Sequence, residues 1–246
     1  MNNDLVVVIG SMLSHDNLEL LEEIKNSKIA LVSVMEDTAL MDDVEQFIQY
    51  EAGSEEGVVA ILAKEFLSGT DFPKEIKEYF DDLDEGYISA ETNIGEEEAE
   101  ELHVMIKNAS KPLIIFGKDV FLNQRVENIS KLINLIKEYS DIEIKCLGEL
   151  KSDEIMPIEE VEELQSFDGT VVFEYNSIEG RNLLIGSAQF GVAAKVQDGQ
   201  LIVVKNQNRE FRLDKKLKGT IALMANETNE DSYRFKVAKI TKREVQ

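Results

Sequence analysis

The sequence feature that most constrains the fold is a continuous apolar run near the N-terminus, Leu5-Val6-Val7-Val8-Ile9, which ends at Gly10-Ser11. A run that is apolar at every position is typical of a strand buried on both faces of a parallel sheet. Similar runs recur at residues 29–34 and 112–117, and amphipathic helix patterns such as Val126–Tyr139 lie between the runs. This alternation predicts an α/β fold with a Rossmann-like, layered parallel sheet.

Three local patterns predict details of this fold. Asp16 stands where a helix cap is expected, before the apolar positions Leu18, Leu21 and Ile24. Residues 69–108 are acidic with scattered apolar positions, which favours surface helices. Residues 157–165 carry a pattern that predicts one more acidic helix.

The pattern changes class near residue 180, where short apolar runs alternate with Gly, Asn and Asp turns. These runs predict a compact all-β, barrel-like module that closes with a strand over residues 233–240. Asp198-Gly199 between apolar runs predicts a hairpin turn. We therefore expect two domains: an α/β domain at 1–168 with an acidic helical insertion at about 69–108, and a β-rich module at 169–246.

The charge is distributed unevenly along the chain. Residues 1–108 hold 27 acidic against 6 basic side chains, a net charge of −21, whereas residues 169–246 hold 9 against 13, a net charge of +4. Such acidity repels phosphate backbones, so nucleic acid is not expected as a partner. The acidity is equally consistent with a role in solubility alone.

The sequence predicts a cytoplasmic protein without direct membrane insertion. No segment approaches the roughly 18 consecutive apolar residues of a membrane span. The opening Met-Asn-Asn-Asp lacks the basic segment of a signal peptide. The single cysteine, Cys146, agrees with a reducing compartment, and its place at a strand end indicates a buried small hydrophobe.

Few residues are candidates for a catalytic, ligand-binding or metal-binding role. Gly10 and Ser11 lie between a strand and a helix, where backbone N–H groups can hold an anion, yet the same pattern fits a simple strand-to-helix turn. The chain lacks the further glycines of a dinucleotide or nucleotide loop. His15 and His103 have no partner at metal-ligand spacing and read as surface residues. We therefore expect no catalytic residue, no metal site and no cofactor.

Basic residues cluster in the C-terminal third of the chain. This cluster is either a docking face or the ordinary solvated surface of a β module, and it lacks the interleaved aromatic residues of a single-strand nucleic-acid binder. Its members are Arg209, Arg212, Lys215, Lys216 and Lys218.

The order of motifs resembles the C-terminal, molybdopterin-oxidoreductase-like region of the large G subunit of bacterial NADH:quinone oxidoreductase, respiratory complex I. The resemblance covers most of the chain except the acidic middle segment. The N-terminal part is similar at residues 4–11, 28–34, 46–62 and 111–117. The C-terminal part is similar at residues 184–190, 194–199 and 211–223.

The resemblance implies a place in a complex I-like assembly and the loss of the pterin-binding site. Active members of that superfamily carry pterin-binding residues where this chain has Met12-Leu13 and Met35-Glu36. The expected function is therefore a non-catalytic, cofactor-free accessory component of a complex I-like peripheral arm, bound to neighbouring subunits and held through them at the inner face of the membrane. Two alternatives stay open: a nucleotide- or pterin-binding oxidoreductase subunit that uses the Gly10-Ser11 turn, and an acidic adaptor for a soluble electron carrier.

Overall fold

The computed structural model describes residues 2–164, 167–227 and 232–242. The chain divides into two compact units, Met1–Leu164 and Gln165–Gln246. The first is an α/β unit and the second is a β-rich unit, which confirms the predicted fold class.

The first unit contains a fully parallel five-stranded sheet with the order β3-β2-β1-β4-β5. Strands β1, β2 and β4 lie at its centre, and their apolar side chains are buried, as expected of strands covered on both faces. The strands are β1 (Leu5–Ile9), β2 (Lys28–Ser33), β3 (Val44–Gln49), β4 (Pro112–Phe116) and β5 (Glu143–Cys146).

Eight helices accompany this sheet in the described part of the unit, and three of them, α4 to α6, fall within the acidic segment. The helices are α1 (Leu13–Asp16), α2 (Leu18–Ile24), α3 (Glu55–Phe66), α4 (Lys74–Asp82), α5 (Glu85–Thr92), α6 (Glu96–Asn108), α7 (Lys118–Leu122) and α8 (Val126–Tyr139).

The predicted cap of the first long helix is wrong by one residue. Asn17 caps α2, because its side-chain oxygen accepts a hydrogen bond from Leu20 N at 3.0 Å. The side chain of Asp16 instead accepts hydrogen bonds from Ser11 Oγ and Met12 N in the preceding loop. Leu18, the first residue of α2, is 64% exposed, whereas Leu20 joins Leu21 and Ile24 in the core.

The predicted helix over residues 157–165 is also wrong: residues 157–164 form an irregular segment without helix or strand, hereafter the strap, and Gln165 lies outside the described residues. The strap is held by side chains of other elements. Asn128 Oδ1 accepts from Glu159 N at 2.8 Å, and Glu56 Oε2 accepts from Glu162 N at 3.2 Å. These bonds replace the backbone bonds that a helix would have made.

The second unit contains a mixed seven-stranded sheet with the order β11-β6-β10-β7-β9-β8-β12. The edge strands β11 and β12 are separated in sequence only by Ala238 and Lys239, so the sheet must curl until its two edges approach each other. The elements are β6 (Val171–Asn176), β7 (Leu183–Gly186), helix α9 (Ala188–Ala193), β8 (Leu201–Val204), β9 (Gln207–Leu213), β10 (Ile221–Asn226), β11 (Phe235–Val237) and β12 (Ile240–Lys242).

One turn prediction and one strand prediction in this unit need correction. Asp198-Gly199 does not join two strands, since it follows α9 and leads into β8. The hairpin between β8 and β9 turns at Lys205-Asn206, whose φ values of 47° and 64° suit a tight two-residue turn. The single closing strand predicted over 233–240 is two short strands, because its residues pair with opposite edges of the sheet.

Candidate functional site at the carboxyl edge of the parallel sheet

The sheet order places a topological switch point between β1 and β4. In open α/β sheets, ligands bind in the crevice at the carboxyl ends of the strands at such a point. The turns that follow these two strands are Gly10-Ser11 and Gly117-Lys118. The crevice between these turns is therefore the candidate ligand-binding site.

Hydrogen-bond donors in and after the Gly10-Ser11 turn are already occupied within the chain. Gly10 N donates to Val32 O at 2.9 Å, and carboxylates accept from the donors that follow. Ser11 Oγ donates to Asp16 Oδ2 at 2.8 Å, and Met12 N donates to the same oxygen at 3.0 Å. Ser14 N donates to Asp37 Oδ2 at 2.9 Å. A phosphate at this turn would have to displace one carboxylate and approach another, so the geometry disfavours an anion site at Gly10 and Ser11.

The two turns press against each other and close the crevice. Gly117 N donates to Ile9 O at 2.7 Å, and Asp119 N donates to Gly10 O at 3.0 Å. A Cβ atom at Gly117 would lie 2.2 Å from Ser11 Cβ and 2.3 Å from Gly10 O. Only glycine fits this contact, since such separations are far inside van der Waals distance.

Of the four positions that the family resemblance associates with pterin binding, three hold buried apolar side chains and the fourth, Glu36, is partly exposed. Met12, Leu13 and Met35 are buried, and Leu13 packs with Val6 and Leu31 in the core beneath the sheet. Side chains committed to the core cannot also line a polar ligand site. At the switch point, these side chains are therefore part of the hydrophobic core.

Two buried carboxylates in the first turn of α3 were missed in the sequence, where acidic runs indicated solvated surface. Glu55 Oε2 accepts from Asn123 Nδ2 at 2.6 Å, and Tyr50 Oη donates to Glu55 Oε1 at 3.4 Å. Acidic side chains favour a helix N-terminus because the helix dipole is positive there. Tyr50 is close in sequence, but Asn123 lies 68 residues and Asn128 lies 72 residues further along the chain than the carboxylates they bind, so the local pattern did not reveal the burial.

Glu56, the second of these carboxylates, sits at the centre of a network that ties the strap to α3 and α8. Glu56 Oε1 accepts from Asn128 Nδ2 at 2.7 Å and from Arg125 Nε at 3.0 Å. Arg125 Nη1 also lies 2.6 Å from Glu159 Oε2 and 3.0 Å from Glu162 Oε1. One guanidinium thus bridges three carboxylates, two of them on the strap.

Burial raises the pKa of Glu56 above its ordinary value of 4.5, while the Asn128 hydrogen bond and the Arg125 charge oppose this rise. The pKa of the neighbouring Tyr79 hydroxyl is raised chiefly by burial, and further by the negative charge of Glu56. Tyr79 Oη is buried with no hydrogen-bond partner among the described residues. Because the strap covers Glu56, this network is suited to holding structure rather than to proton transfer.

The raised pKa of Glu56 predicts a specific pH dependence. A carboxylate whose folded pKa exceeds its unfolded value contributes stability below the unfolded pKa, and this contribution is lost as pH rises through the folded pKa. Relative to Glu56→Gln, the wild-type free energy of unfolding should therefore be highest near pH 4.5 and fall as pH rises toward neutral. Chemical denaturation of both proteins across this range measures the difference. A difference that is constant or grows with pH would contradict the assignment.

The histidines and the cysteine give no reactive centre. His15 is exposed as predicted, but His103 is buried, with Nδ1 2.7 Å from Glu65 Oε1, which corrects its assignment to the surface. Cys146 is half-buried, and burial raises the pKa of its thiol, which makes it a poor nucleophile. Within residues 2–164, 167–227 and 232–242, no three potential ligands converge to hold a metal ion.

The structure divides the predicted basic cluster. Arg209 is 2% exposed and donates through Nη1 to Leu183 O at 2.9 Å, so it belongs to the interior and not to a docking face. Arg212 is exposed and bonds to Glu210 Oε1 at 2.8 Å on its own strand. The exposed lysines of the cluster lie together between β9 and β10; they are Lys215, Lys216 and Lys218.

These lysines belong to the segment 214–219, hereafter the lysine loop, which is fixed to helix α9. Gly219 N donates to Gln189 Oε1 at 2.7 Å, and Ser187 Oγ donates to Gly219 O. On α9, Val192 is 80% exposed. The lysine loop is thus held in place by hydrogen bonds, and an ordered basic surface is one that an acidic protein partner can contact.

Among the described residues, no helix is long and apolar enough to cross a membrane. No family profile and no curated protein matches the chain. One similar solved structure is acetylene hydratase from Pelobacter acetylenicus, with 14% sequence identity and a TM-score of 0.36. The match covers 46% of this chain and 18% of that enzyme, and so low a TM-score decides neither fold nor function.

Proposed function

We propose that the chain is a non-catalytic accessory subunit or domain of a complex I-like NADH:quinone oxidoreductase. In this role it supports electron transfer in the peripheral arm by holding neighbouring subunits in place, at the inner face of the membrane. The observation that carries the non-catalytic part is the Gly10-Ser11 turn, whose donors are bound by Asp16 while Ser14 N is bound by Asp37. The assembly itself rests on the resemblance of the strand and turn motifs.

The alternative of a nucleotide- or pterin-binding subunit needs the same turn for its ligand. The Gly117 contact and the buried Met12 and Met35 weigh against it. Purified protein that released a nucleotide or pterin on denaturation would favour this alternative. An adaptor for a soluble electron carrier would instead bind that carrier with an affinity that falls as salt is raised.

The lysine loop should be the contact to an acidic neighbouring subunit. Tagged protein isolated from its native cells is expected to recover subunits of the oxidoreductase, and the variant Lys215→Glu, Lys216→Glu, Lys218→Glu to recover about tenfold less. Three reversed surface charges each change an ion pair by about 0.5 kcal/mol or more, which together approach a tenfold change. Quantitative mass spectrometry of the eluates measures the recovery.

The matched control reverses three exposed lysines of the first unit: Lys74→Glu, Lys77→Glu and Lys107→Glu. It changes the net charge by the same amount and should leave recovery close to that of the wild type. Equal losses in both variants would point to net charge alone and overturn the role of the lysine loop. Recovery of the wild type without any oxidoreductase subunit would overturn the proposed function.

A further inference from the structure

The parallel sheet of the first unit ends at strand β3, and part of the backbone of this strand is open for pairing. Tyr50 N donates to Ser33 O on β2 at 3.3 Å, whereas Gln49 O accepts from Asn93 Nδ2 on the opposite side at 3.3 Å. Because backbone groups alternate in direction along a strand, those of Phe47 face away from β2. No residue in the described part of the chain pairs with them.

Helix α6 and β3 form the walls of a groove with a volume of about 600 Å³. Glutamates dominate its lining, and Val104, 50% exposed, and Met105 add apolar surface. The lining glutamates are Glu45, Glu97, Glu100 and Glu101. The groove therefore combines an unpaired strand edge, negative charge and a small apolar patch.

Gln46 gives an independent sign of a missing donor. It lines the groove, and its Nε2 donates to Glu98 O at 3.1 Å, which fixes the direction of the amide. Its Oε1 is buried and has no hydrogen-bond partner among the described residues. Because the protein encloses this oxygen, a ligand reaches it only if the groove wall moves. A buried acceptor without a donor costs about 1–3 kcal/mol, and a ligand N–H group that paired with it would recover that cost.

The negative charge of the groove favours a positively charged ligand. Lys28, whose Nζ lies 3.3 Å from Glu45 Oε2, neutralises only one of the four lining glutamates. No three carboxylates of the described residues converge on a metal position, which disfavours a divalent cation. We propose that this groove binds an extended segment of a partner protein that carries lysine or arginine on alternate residues and adds to β3 as a further strand.

The test uses a labelled peptide that alternates lysine with valine, titrated into the full chain at low salt and followed by fluorescence anisotropy. Two isomers carry N-methyl groups on alternate backbone amides, one set on the edge that faces β3 and the other on the edge that faces solvent. Charge is the same in all three, so only strand pairing distinguishes the isomers. We expect the isomer methylated on the edge that faces β3 to bind about tenfold more weakly than the parent peptide. The isomer methylated on the edge that faces solvent should bind as well as the parent peptide.

The protein variants test the charge. Glu97→Gln, Glu100→Gln, Glu101→Gln should weaken the parent peptide about tenfold, and the matched control Glu19→Gln, Glu22→Gln, Glu23→Gln on α2 should leave binding unchanged. Both sets replace exposed glutamates on one helix, and circular dichroism verifies that the variants fold. Equal binding of both methylated isomers, equal effects of the two triple variants, or no binding at low salt would each overturn the proposal. None of these outcomes bears on the lysine loop.

Discussion

Replacement of Gly117 with alanine is expected to destabilise the first unit by about 3 kcal/mol, which lowers its thermal midpoint by about 10 °C. The added methyl group would overlap Ser11 Cβ and the backbone oxygen of Gly10, at 2.2 and 2.3 Å. The oxygen cannot rotate away because it accepts from Asp119 N. The turns can separate only if the switch point opens. Thermal unfolding followed by circular dichroism measures the loss.

Gly86→Ala is the matched control for this prediction. Gly86 lies in the first turn of α5, where the nearest atom to an added Cβ is Asp84 Oδ1 at 3.7 Å. Alanine is the better helix former by about 1 kcal/mol, so this variant should be as stable as the wild type or slightly more stable. If Gly117→Ala were equally well tolerated, the two turns would not be in tight contact and the crevice could admit a ligand.

The central strands and the longest helix were predictable from sequence because burial leaves a local record. Leu5–Ile9 is apolar at every position, since helices cover both faces of β1. Helix α8, Val126–Tyr139, has the predicted bounds because its apolar stripe recurs with the helical period. These signals lie within the element that they predict.

The features that were predicted wrongly or missed depend mostly on partners distant in sequence. Residues 157–164 have the composition of an acidic helix, but Asn128 and Glu56 accept hydrogen bonds from backbone N–H groups of this segment, which is irregular. Helix α9 was missed because it has only six residues and contains Gly191; it forms where Ser187 caps it by accepting from Phe190 N at 3.0 Å. Arg209 looked like surface because nothing near it in sequence reveals its bond to Leu183 O.

The candidate site shows the same division. Sequence located the Gly10-Ser11 turn after the first buried strand, and it located the buried run 112–117 after which the second turn follows. It could not show that the turns touch each other or that Asp37 would reach Ser14 N, because these contacts depend on the strand order. The absence of a glycine-rich loop argued against a nucleotide loop, and the structure adds a physical reason: the two turns touch, and Asp16 and Asp37 accept from donors near Gly10-Ser11.

Arg125→Met is expected to destabilise the first unit by about 2–3 kcal/mol. The substitution keeps an apolar stem of similar length but removes the cation that pairs with Glu56, whose side chain is 4% exposed. Breaking a buried ion pair leaves an uncompensated charge, and this costs more than the pair contributes to stability. The strap should also loosen, because Arg125 binds Glu159, Glu162 and the backbone oxygen of Glu160. Denaturant unfolding measures the loss of stability, and limited digestion with a glutamate-specific protease measures cleavage within residues 157–164.

Two further variants separate charge from packing in this network. The double variant Glu56→Gln, Arg125→Met removes the stranded charge, so it should recover about 1–2 kcal/mol relative to the sum of the single variants. Arg212→Met, which breaks an exposed pair with Glu210, should change stability by less than about 0.5 kcal/mol. Strict additivity of Glu56→Gln and Arg125→Met, or unchanged proteolysis of the strap in Arg125→Met, would show that the guanidinium does not hold the strap through Glu56.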